Sequence, residues 1–513
     1  MAVLPAQPHL DHLRRQARDL LRAARAGDAT ATARILALSD RLTLAAAQLA
    51  VARDYGFASW AKLKEEVQAR VEDLPRLAQE FCEASIRDWT GRAPRMLAAR
   101  PELADYNFAT AVVLGEIGKV RSAIDADPGL VTRPDPRTGW TALHAACASR
   151  WHQLDPARGD GLLAVAALLL DAGADPTGRA DGTQWTPLRC AVAGAANPAI
   201  TQLLLDRGAL PADSDLYLAG FADDHQCLRM LLDHAADVRA IARMALAAPI
   251  SGNDVEGVRL LLEAGADPGQ YHNDDDQPCP VISAVVQANG TAGILDLLLT
   301  HGADPALPGP DGKSPLALAT SMGRADLAEL LRQHGAPDDA TDIDVFLSAC
   351  LRADRAGAER LLASQPDLLS QLTSEQQATT MIRAAETGNT EAMRIMLDVG
   401  FLINALGGDN GSTALHAAAF SGSADVTRLL IERGADVEAR DSEWDDTPVG
   451  WSVVGSGFKP EDNPGADWLA TIGVLVEAGV SLDGITLSPD DPKPPSPDVA
   501  DLLRHYGVRD EQR

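Results

Sequence analysis

Aromatic side chains make up only 4% of this 513-residue chain. A single large core leans on Phe, Tyr and Trp, so their scarcity beside abundant Ala and Leu suits small helices packed closely. Cysteine is sparse as well. The six (Cys82, Cys147, Cys190, Cys227, Cys279 and Cys350) lie 37 or more residues apart, which excludes the close pairs of a zinc or redox site. Cys147 and Cys190 fall among small residues and read as apolar filler. No apolar run reaches the roughly 18 residues that a bilayer span needs. Met1–His12 holds His and Pro but no apolar stretch of the kind that marks a secretory signal, so the expected location is the cytoplasm. Cations are short too: 45 Lys and Arg against 73 Asp and Glu leave a net charge of −28. That field repels phosphate backbones, disfavours nucleic acid along the body, and leaves neutral or basic partners.

Catalytic and ligand motifs are missing in the same way. Gly312-Lys313-Ser314 resembles the end of a phosphate loop, but the required earlier glycine falls on Leu307. Gly455-Ser456-Gly457 lacks the spacing of a nucleophile elbow. The eleven histidines are dispersed, with no HExxH. Asp274-Asp275-Asp276 lacks the alternating ligands, glycine and closing glutamate of a calcium loop, and Asp338, Asp339, Asp342 and Asp344 read as solvated acid. The expectation is no enzyme, no cofactor and no metal.

What the chain does have is a period. Leucine-rich runs break into Gly-Ala-Asp or a close variant nine times, from Leu168–Pro176 to Val474–Leu482. The landmark positions are 173, 208, 235 (Ala), 265, 302, 335, 400, 434 and 479, with gaps of 35, 27, 30, 37, 33, 65, 34 and 45. The gap of 65 predicts one eroded copy between regular ones. Self-similarity at this period means stacked supersecondary units, not one globular core. Three copies, Met96–Leu103, Ile124–Leu130 and Leu361–Leu368, instead end a short helix at proline, which cannot continue the hydrogen-bond ladder.

Each unit also has a recognisable start. Thr141-Ala-Leu-His144 and Thr413-Ala-Leu-His416 match the TPLH signature of ankyrin repeats, and Thr186-Pro-Leu-Arg189, Ser314-Pro-Leu-Ala317 and Thr447-Pro-Val-Gly450 match it in part. Threonine caps a helix, a small-residue helix follows, glycine breaks it, and a second Leu-rich helix ends at a left-handed glycine. The chain therefore resembles an ankyrin-repeat protein over about four-fifths of its length, with about twelve units. The resemblance implies an all-α ankyrin-repeat solenoid of helix-turn-helix units joined by loop or hairpin fingers. It also implies that the imidazoles of His144 and His416 bind their own threonine and adjoining backbone.

Residues 1–72 differ and read as a helical leader, similar to the module that often precedes such arrays in bacterial proteins. Its expected helices are His9–Arg25, Ala29–Leu38, Leu44–Asp54 and Trp60 to about Arg70, with Tyr55, Phe57 and Trp60 in its core. The array then divides into blocks at 73–340 and 341–486. Residues 487–513 are a Pro-rich linker and a capping half-unit, Asp498–Tyr506, started by Ser496 and Pro497.

In the family a partner sits on the concave side, formed by fingers and first helices. The fingers here are Asp175–Trp185, Asp267–Pro278, Asp304–Lys313, Asn404–Ser412 and Asp436–Asp446. Because aromatics are rare, their placement is informative: Trp140, Trp185, Tyr271 beside His272, and Trp444 beside Asp445 and Asp446 all lie in fingers. Aromatic anchors among acids suit a basic partner; the competing reading packs each Trp over the neighbouring finger. Two units are longer from Thr to Gly, 32 residues against 21 or 22. The extra stretches, Arg150–Asp160 with Trp151 and His152 and Gly455–Ala466 with Phe458 and Lys459, are expected to project as loops.

The leading expectation is a monomeric scaffold that binds another protein and binds neither nucleic acid nor membrane. Two alternatives remain. One is an enzyme-associated adaptor in which an insertion or the leader, with His9, Asp11, His12 and Asp54, carries a small active site. The other is a structural, self-associating array.

Overall fold

A computed structural model describes residues 10–39, 41–87, 91–180, 183–193, 195–222, 224–242, 244–272, 278–288, 290–310, 312–458, 465–485, 487 and 494–509. The side chains of residues 11, 65, 66, 68–73, 271, 272 and 278 lie outside that description. The chain is all-α: among the described residues the only paired strands are Gln270–His272 and Pro278–Pro280, an antiparallel finger hairpin. It forms two compact units, residues 1–236 and 237–513.

The leader has its own core. Leu13, Ala17, Leu20, Leu21 and Ala24 form the apolar stripe of Leu10–Arg25 and close on Ala47, Ala50 and Val51 of Leu44–Asp54. Asp28 and Thr43 start the second and third helices by accepting from the N–H groups of Ala31 and Ala46. Tyr55, Phe57 and Trp60 pack at the edge of this core as expected. The fourth helix is longer than the sequence suggests. It starts at Trp60 and runs to Arg87 with Pro75 inside it, so the expected stop near Arg70 and the boundary at 72/73 fall within one element. Its first half contributes Leu63 and Val67 to the leader; its second half buries Ala78, Phe81 and Ala84 farther along. Burial on both sides of Pro75 outweighs the loss of one backbone hydrogen bond.

Helix pairs follow. In the first unit they include Phe108–Val113 with Ile117–Ala126, Ala142–Ala148 with Gly159–Asp171, and Pro187–Val192 with Pro198–Asp206. In the second unit they run from Ala247–Ser251 with Val255–Glu263 to Pro448–Gly455 with Trp468–Glu477. The interval of 65 residues holds a complete pair, Asp342–Leu351 and Arg355–Ser364, whose second helix ends before Pro366 without a glycine. No break separates blocks at 340: Lys313 Nζ lies 2.6 Å from Asp344 Oδ1, and Ser314 donates to Asp339.

The landmark glycines share one backbone state. Gly173, Gly208, Gly265, Gly302, Gly335, Gly400, Gly434 and Gly479 have φ between 84° and 106°. At most of them a Cβ would meet nothing, so torsion and not space selects glycine there. At 434, the Gly434 N–H donates to Ile431 O (3.0 Å) and the Ala435 N–H to Leu430 O (3.0 Å), closing the helix end. Ala235 cannot adopt this state cheaply; its φ is −76°, and the division between the two units falls at this altered landmark. The short gap before it also has a cause: Gly208 leads almost directly into Asp213–Ala219, so this unit has no finger.

The last helix, Pro497–His505, is capped by Ser496 as predicted. Val499 and Leu503 bury against Val453 and Ile472, covering the final pair.

The candidate partner-binding fingers

The fingers are hairpin turns closed by backbone hydrogen bonds, and three of them carry tryptophan, in two contrasting ways. In the first unit the Asp135 N–H donates to Trp140 O (2.8 Å) and the Ala180 N–H to Trp185 O (2.9 Å). The threonine that follows each finger starts the next helix. Thr141 N–H and hydroxyl both approach His144 Nδ1, at 3.4 and 2.9 Å, while His144 Nε2 reaches Trp185 O at 3.3 Å. A carbonyl only accepts, so Nε2 carries the hydrogen and Nδ1 is the acceptor. The histidine thus ties its own helix to the next finger. Burial pushes its pKa below the ordinary value and keeps the ring neutral.

Trp140 and Trp185 are brought together. Their ring centroids are 6.0 Å apart, and both rings are half-buried. Trp140 also lies 6.0 Å from the His144 ring, and the Arg189 guanidinium stands 6.0 Å from the Trp185 centroid. Arg189 in turn is 3.7 Å from the buried Asp215. These two tryptophans pack over neighbouring fingers.

In the second unit the same frame holds a different surface. Thr413 N–H and hydroxyl approach His416 Nδ1 at 3.2 and 2.8 Å, and His416 Nε2 donates to Asp446 O at 3.1 Å. The finger beyond is organised by Asp441, which is 3% exposed. Its Oδ1 accepts from the N–H groups of Glu443 (2.9 Å) and Trp444 (2.7 Å). Its Oδ2 accepts from the Asp446 N–H (3.0 Å) and the Trp451 indole N–H (3.0 Å). Burial alone would raise this carboxyl's pKa; the bonds from Trp444, Trp451, Asp446 and Glu443 outweigh it and hold the group below the usual range.

Trp444 is therefore held from its backbone while its ring stays 59% exposed. Beneath it rings follow in series: Trp444 to Trp451 at 5.7 Å, Trp451 to Phe420 at 6.0 Å, and Phe420 to Phe458 at 5.5 Å. Trp451 also meets His416 edge-on at 5.4 Å. Asp445 has an outward side chain and a left-handed backbone, φ 53°, with Arg440 Nη1 3.6 Å from its carboxylate. Asp446 differs from the expectation: it is half-buried, and its N–H and C=O are used in the frame. The fingers 404–412 and 436–446 are also joined, by Ser442 N–H to Asn410 O (3.1 Å) and Asp436 N–H to Asn404 Oδ1 (2.9 Å).

Other expectations need correction. Trp151 is not a surface residue. It is 3% exposed, packs at a tilt against Phe81 with ring centroids 6.0 Å apart, and donates from Nε1 to Ser85 Oγ at 3.0 Å. Its insertion does not project; it folds as Trp151–Leu154 and Pro156–Arg158, and the Arg150 N–H bonds Ser85 O at 3.0 Å. His152 is half-buried with it, its Nδ1 3.3 Å from Ser149 O. Tyr271 and His272 lie in the hairpin strand, but their side chains are outside the described residues, as are Lys459 and Asp274–Asp276 altogether. Phe458 is 36% exposed at the foot of the ring series. Trp451 and Phe420 were not anticipated, because attention to fingers passes over helix residues that a finger folds back upon. The series is possible because Gly455 lacks a side chain: a Cβ there would lie 2.1 Å from Phe420 O.

Among the described residues no group of three or more His, Cys, Asp or Glu is placed to hold a metal, and no helix is long and apolar enough to cross a membrane. The buried cysteines are not activated; burial raises the Cys147 and Cys190 thiols well above their ordinary value.

Family comparison agrees with this construction. Ankyrin-repeat models match residues 138–181, 244–344 and 346–441. Cyclin-dependent kinase 4 inhibitor B of Mus musculus is 36% identical over 98 residues, 19% of this chain and 72% of that protein. The Bos taurus protein of the same name is 35% identical over the same length, 71% of its own chain. Among solved structures, an ankyrin repeat domain from Acinetobacter baumannii aligns at 26% identity with a TM-score of 0.31, over 38% of this chain and 98% of its own. The human ASB11 ankyrin repeat domain aligns at 17% identity with a TM-score of 0.22, over 47% and 99%. Helix pairs ended by left-handed glycines, and both Thr-His ties, lie within the residues these models match, and the chain belongs to the ankyrin-repeat family.

Proposed function

We propose that this protein acts by holding another protein, without catalysis, and that the finger 436–446 with its neighbour 404–412 is the seat of a basic partner. The observation that carries this reading is Trp444: a large ring 59% exposed on a backbone fixed by a buried carboxylate. A ring left in solvent on a rigid support loses little freedom on binding, which is what makes an anchor effective. Glu443 and Asp445 are exposed beside it, so a lysine or arginine from the partner meets both an aromatic face and carboxylates. Ankyrin repeats generally mediate protein contact, and the curated relative is named as an inhibitor of a kinase, itself a protein. Trp140 and Trp185, packed on each other, play a lesser part in capture. The working form is a cytoplasmic monomer whose helical leader runs into the array through the helix Trp60–Arg87.

The test is capture. Immobilised full-length protein and its Trp444→Ala variant are exposed to lysate of the native cell, and retained proteins are quantified by mass spectrometry. The expected result is a basic protein whose retention falls about tenfold or more in the variant, with helical circular dichroism unchanged. Equal retention on both would sink the assignment.

A further inference from the structure

The first unit contains a half-open cleft of about 340 Å³ that shares no residue with the Trp444 finger. One wall is the end of the helix Trp60–Arg87, and the other is the finger that leads to Trp140. Ile86, Phe108, Val112, Ala145 and Trp140 give it an apolar interior. Cys82 also lines it, its thiol kept neutral by burial and by nearby Asp135 and Glu83, with a pKa pushed up to about 12. This volume is at the lower end for a ligand pocket and accommodates one bulky side chain with a stretch of backbone.

The charges at its mouth are unusual for this chain. Three arginines, Arg87, Arg133 and Arg137, face two carboxylates, Glu83 and Asp135, in a molecule of net charge −28. Arg137 spans both carboxylates, with Nη1 3.5 Å from Glu83 and Nη2 3.6 Å from Asp135. Arg133 is engaged with Asp127 at 3.0 Å. Arg87 is exposed at the helix end and has no hydrogen bond or ion pair among the described residues. The mouth is thus one place where the acidity of the chain is locally offset and, among the described residues, a guanidinium is left over.

We propose that this cleft seats an extended segment of a partner protein, with one bulky apolar side chain beside Trp140 and an adjacent carboxylate on Arg87. The side chain displaces water from an apolar interior, and the carboxylate supplies the charge that Arg87 lacks. Pro134, Pro136 and Thr138, all exposed, line the cleft on its finger side. This site is separate from the Trp444 seat, and its partner chemistry is opposite in sign.

Fluorescence anisotropy on the full chain tests the proposal, using a labelled eight-residue peptide with a central Phe between two glutamates. Binding is expected to weaken about tenfold or more when lysines replace the glutamates, and likewise in Arg87→Glu and in Ala109→Trp, which adds bulk on an exposed lining position. Trp444→Ala is expected to leave it unchanged, so failure here and failure of the finger seat are told apart. Arg87→Glu lies on the surface and keeps the fold, checked by circular dichroism. No binding at millimolar peptide, equal binding of the lysine peptide, or indifference to both cleft variants would overturn the proposal. So would loss in Trp444→Ala. Free 3-phenylpropionate competing as tightly as the peptide would overturn it in favour of a small organic acid.

Discussion

The finger ending at Trp140 and the finger ending at Asp446 are built on one plan and finish differently. Both close with the same backbone hydrogen bond, from Asp135 to Trp140 and from Asp441 to Asp446. In both, the aspartate side chain accepts from the residues two and three ahead: Arg137 and Thr138 in one, Glu443 and Trp444 in the other. The Asp135 side chain is 42% exposed and its turn ends there. Asp441 is buried and uses its second oxygen to hold Asp446 and Trp451. Position separates the tryptophans: Trp140 stands five residues past its aspartate and leans on Trp185, whereas Trp444 stands three past Asp441, where its backbone is held and its ring left exposed. A repeat scaffold can thus present a tryptophan by placing it in the aspartate-held turn, and the buried Asp441 adds a tie from that turn to the helix residue Trp451.

The sharpest way to break this comparison is to remove both carboxylates in turn. Asp441→Ala leaves three backbone N–H groups and a partly buried indole N–H without their acceptor, and is expected to cost about 2–4 kcal/mol. Asp135→Ala, whose N–H groups remain open to water, is expected to cost under about 1 kcal/mol. Equilibrium urea unfolding of the two variants measures the difference, and Asp441→Ala should also lower partner capture to the level of Trp444→Ala. Equal losses at the two positions would end the idea that burial of Asp441 distinguishes them.

A second test asks whether the landmark glycines serve torsion alone. Gly434→Ala places a Cβ in open space but forces an alanine to φ near 91°, so its cost should be about 1–2 kcal/mol. Gly455→Ala is a contrasting case. There the added carbon meets the Phe420 carbonyl and Trp468 Nε1, so the ring series must shift. Unfolding reads the first effect, and a change in tryptophan emission reads the second. A cost of a few tenths at Gly434 would show that the helix end relaxes out of the left-handed state.

The positions that could be read from sequence are those where local backbone chemistry dictates the residue. The landmark glycines, the Thr-His starts, the proline-ended helices and the Ser496 cap each answer a need within a few residues, and all lie where the pattern puts them. The misreadings come from contacts that sequence distance conceals. Trp151 is buried by Phe81 and Ser85, about seventy residues earlier, so its insertion reads as a loop until that helix is seen beside it. The helix at Trp60 runs past its expected end because a second core, not a local signal, continues it beyond Pro75. The candidate fingers were legible as a class. Which tryptophan is presented was not, because that depends on which rings meet, Trp140 on Trp185 of the next finger and Trp444 on Trp451, a helix residue outside the finger.

A third test uses the feature the two fingers share. His144 and His416 are both held below the ordinary histidine value of 6.5, chiefly by burial; at His416 the carbonyl of Asp446 and the charge of Asp441 oppose the shift in part. A depressed histidine binds its proton more readily in the unfolded chain. Its contribution is therefore complete above pH 6.5 and lost as pH falls from there through the folded value. The thermal midpoint should decline below pH 6.5 in the wild type, and His416→Gln should flatten part of that decline at some cost in stability near neutrality. A profile level down to pH 5 would mean the imidazoles accept protons without disturbing either finger.

The smallest expected effect lies on the surface of the second unit. Asp398 is gripped by Arg355 (2.9 Å) and Arg433 (3.0 Å), tying together the helices 355–364, 390–399 and 424–432. The Arg355 hydrogen bond, chiefly, holds its carboxyl below the usual range although burial acts the other way. Its stabilisation is present above the ordinary carboxylate value of 3.8 and disappears as pH drops through the folded one. Exposed pairs are screened, so Asp398→Asn should lower the thermal midpoint by only about 2 °C, and by less in molar salt. Capture through Trp444 should not change at all. If Asp398→Asn weakened capture as much as Asp441→Ala, the fingers would owe their rigidity to the outer helices and not to the buried carboxylate, and the contrast between the two finger types would need another cause.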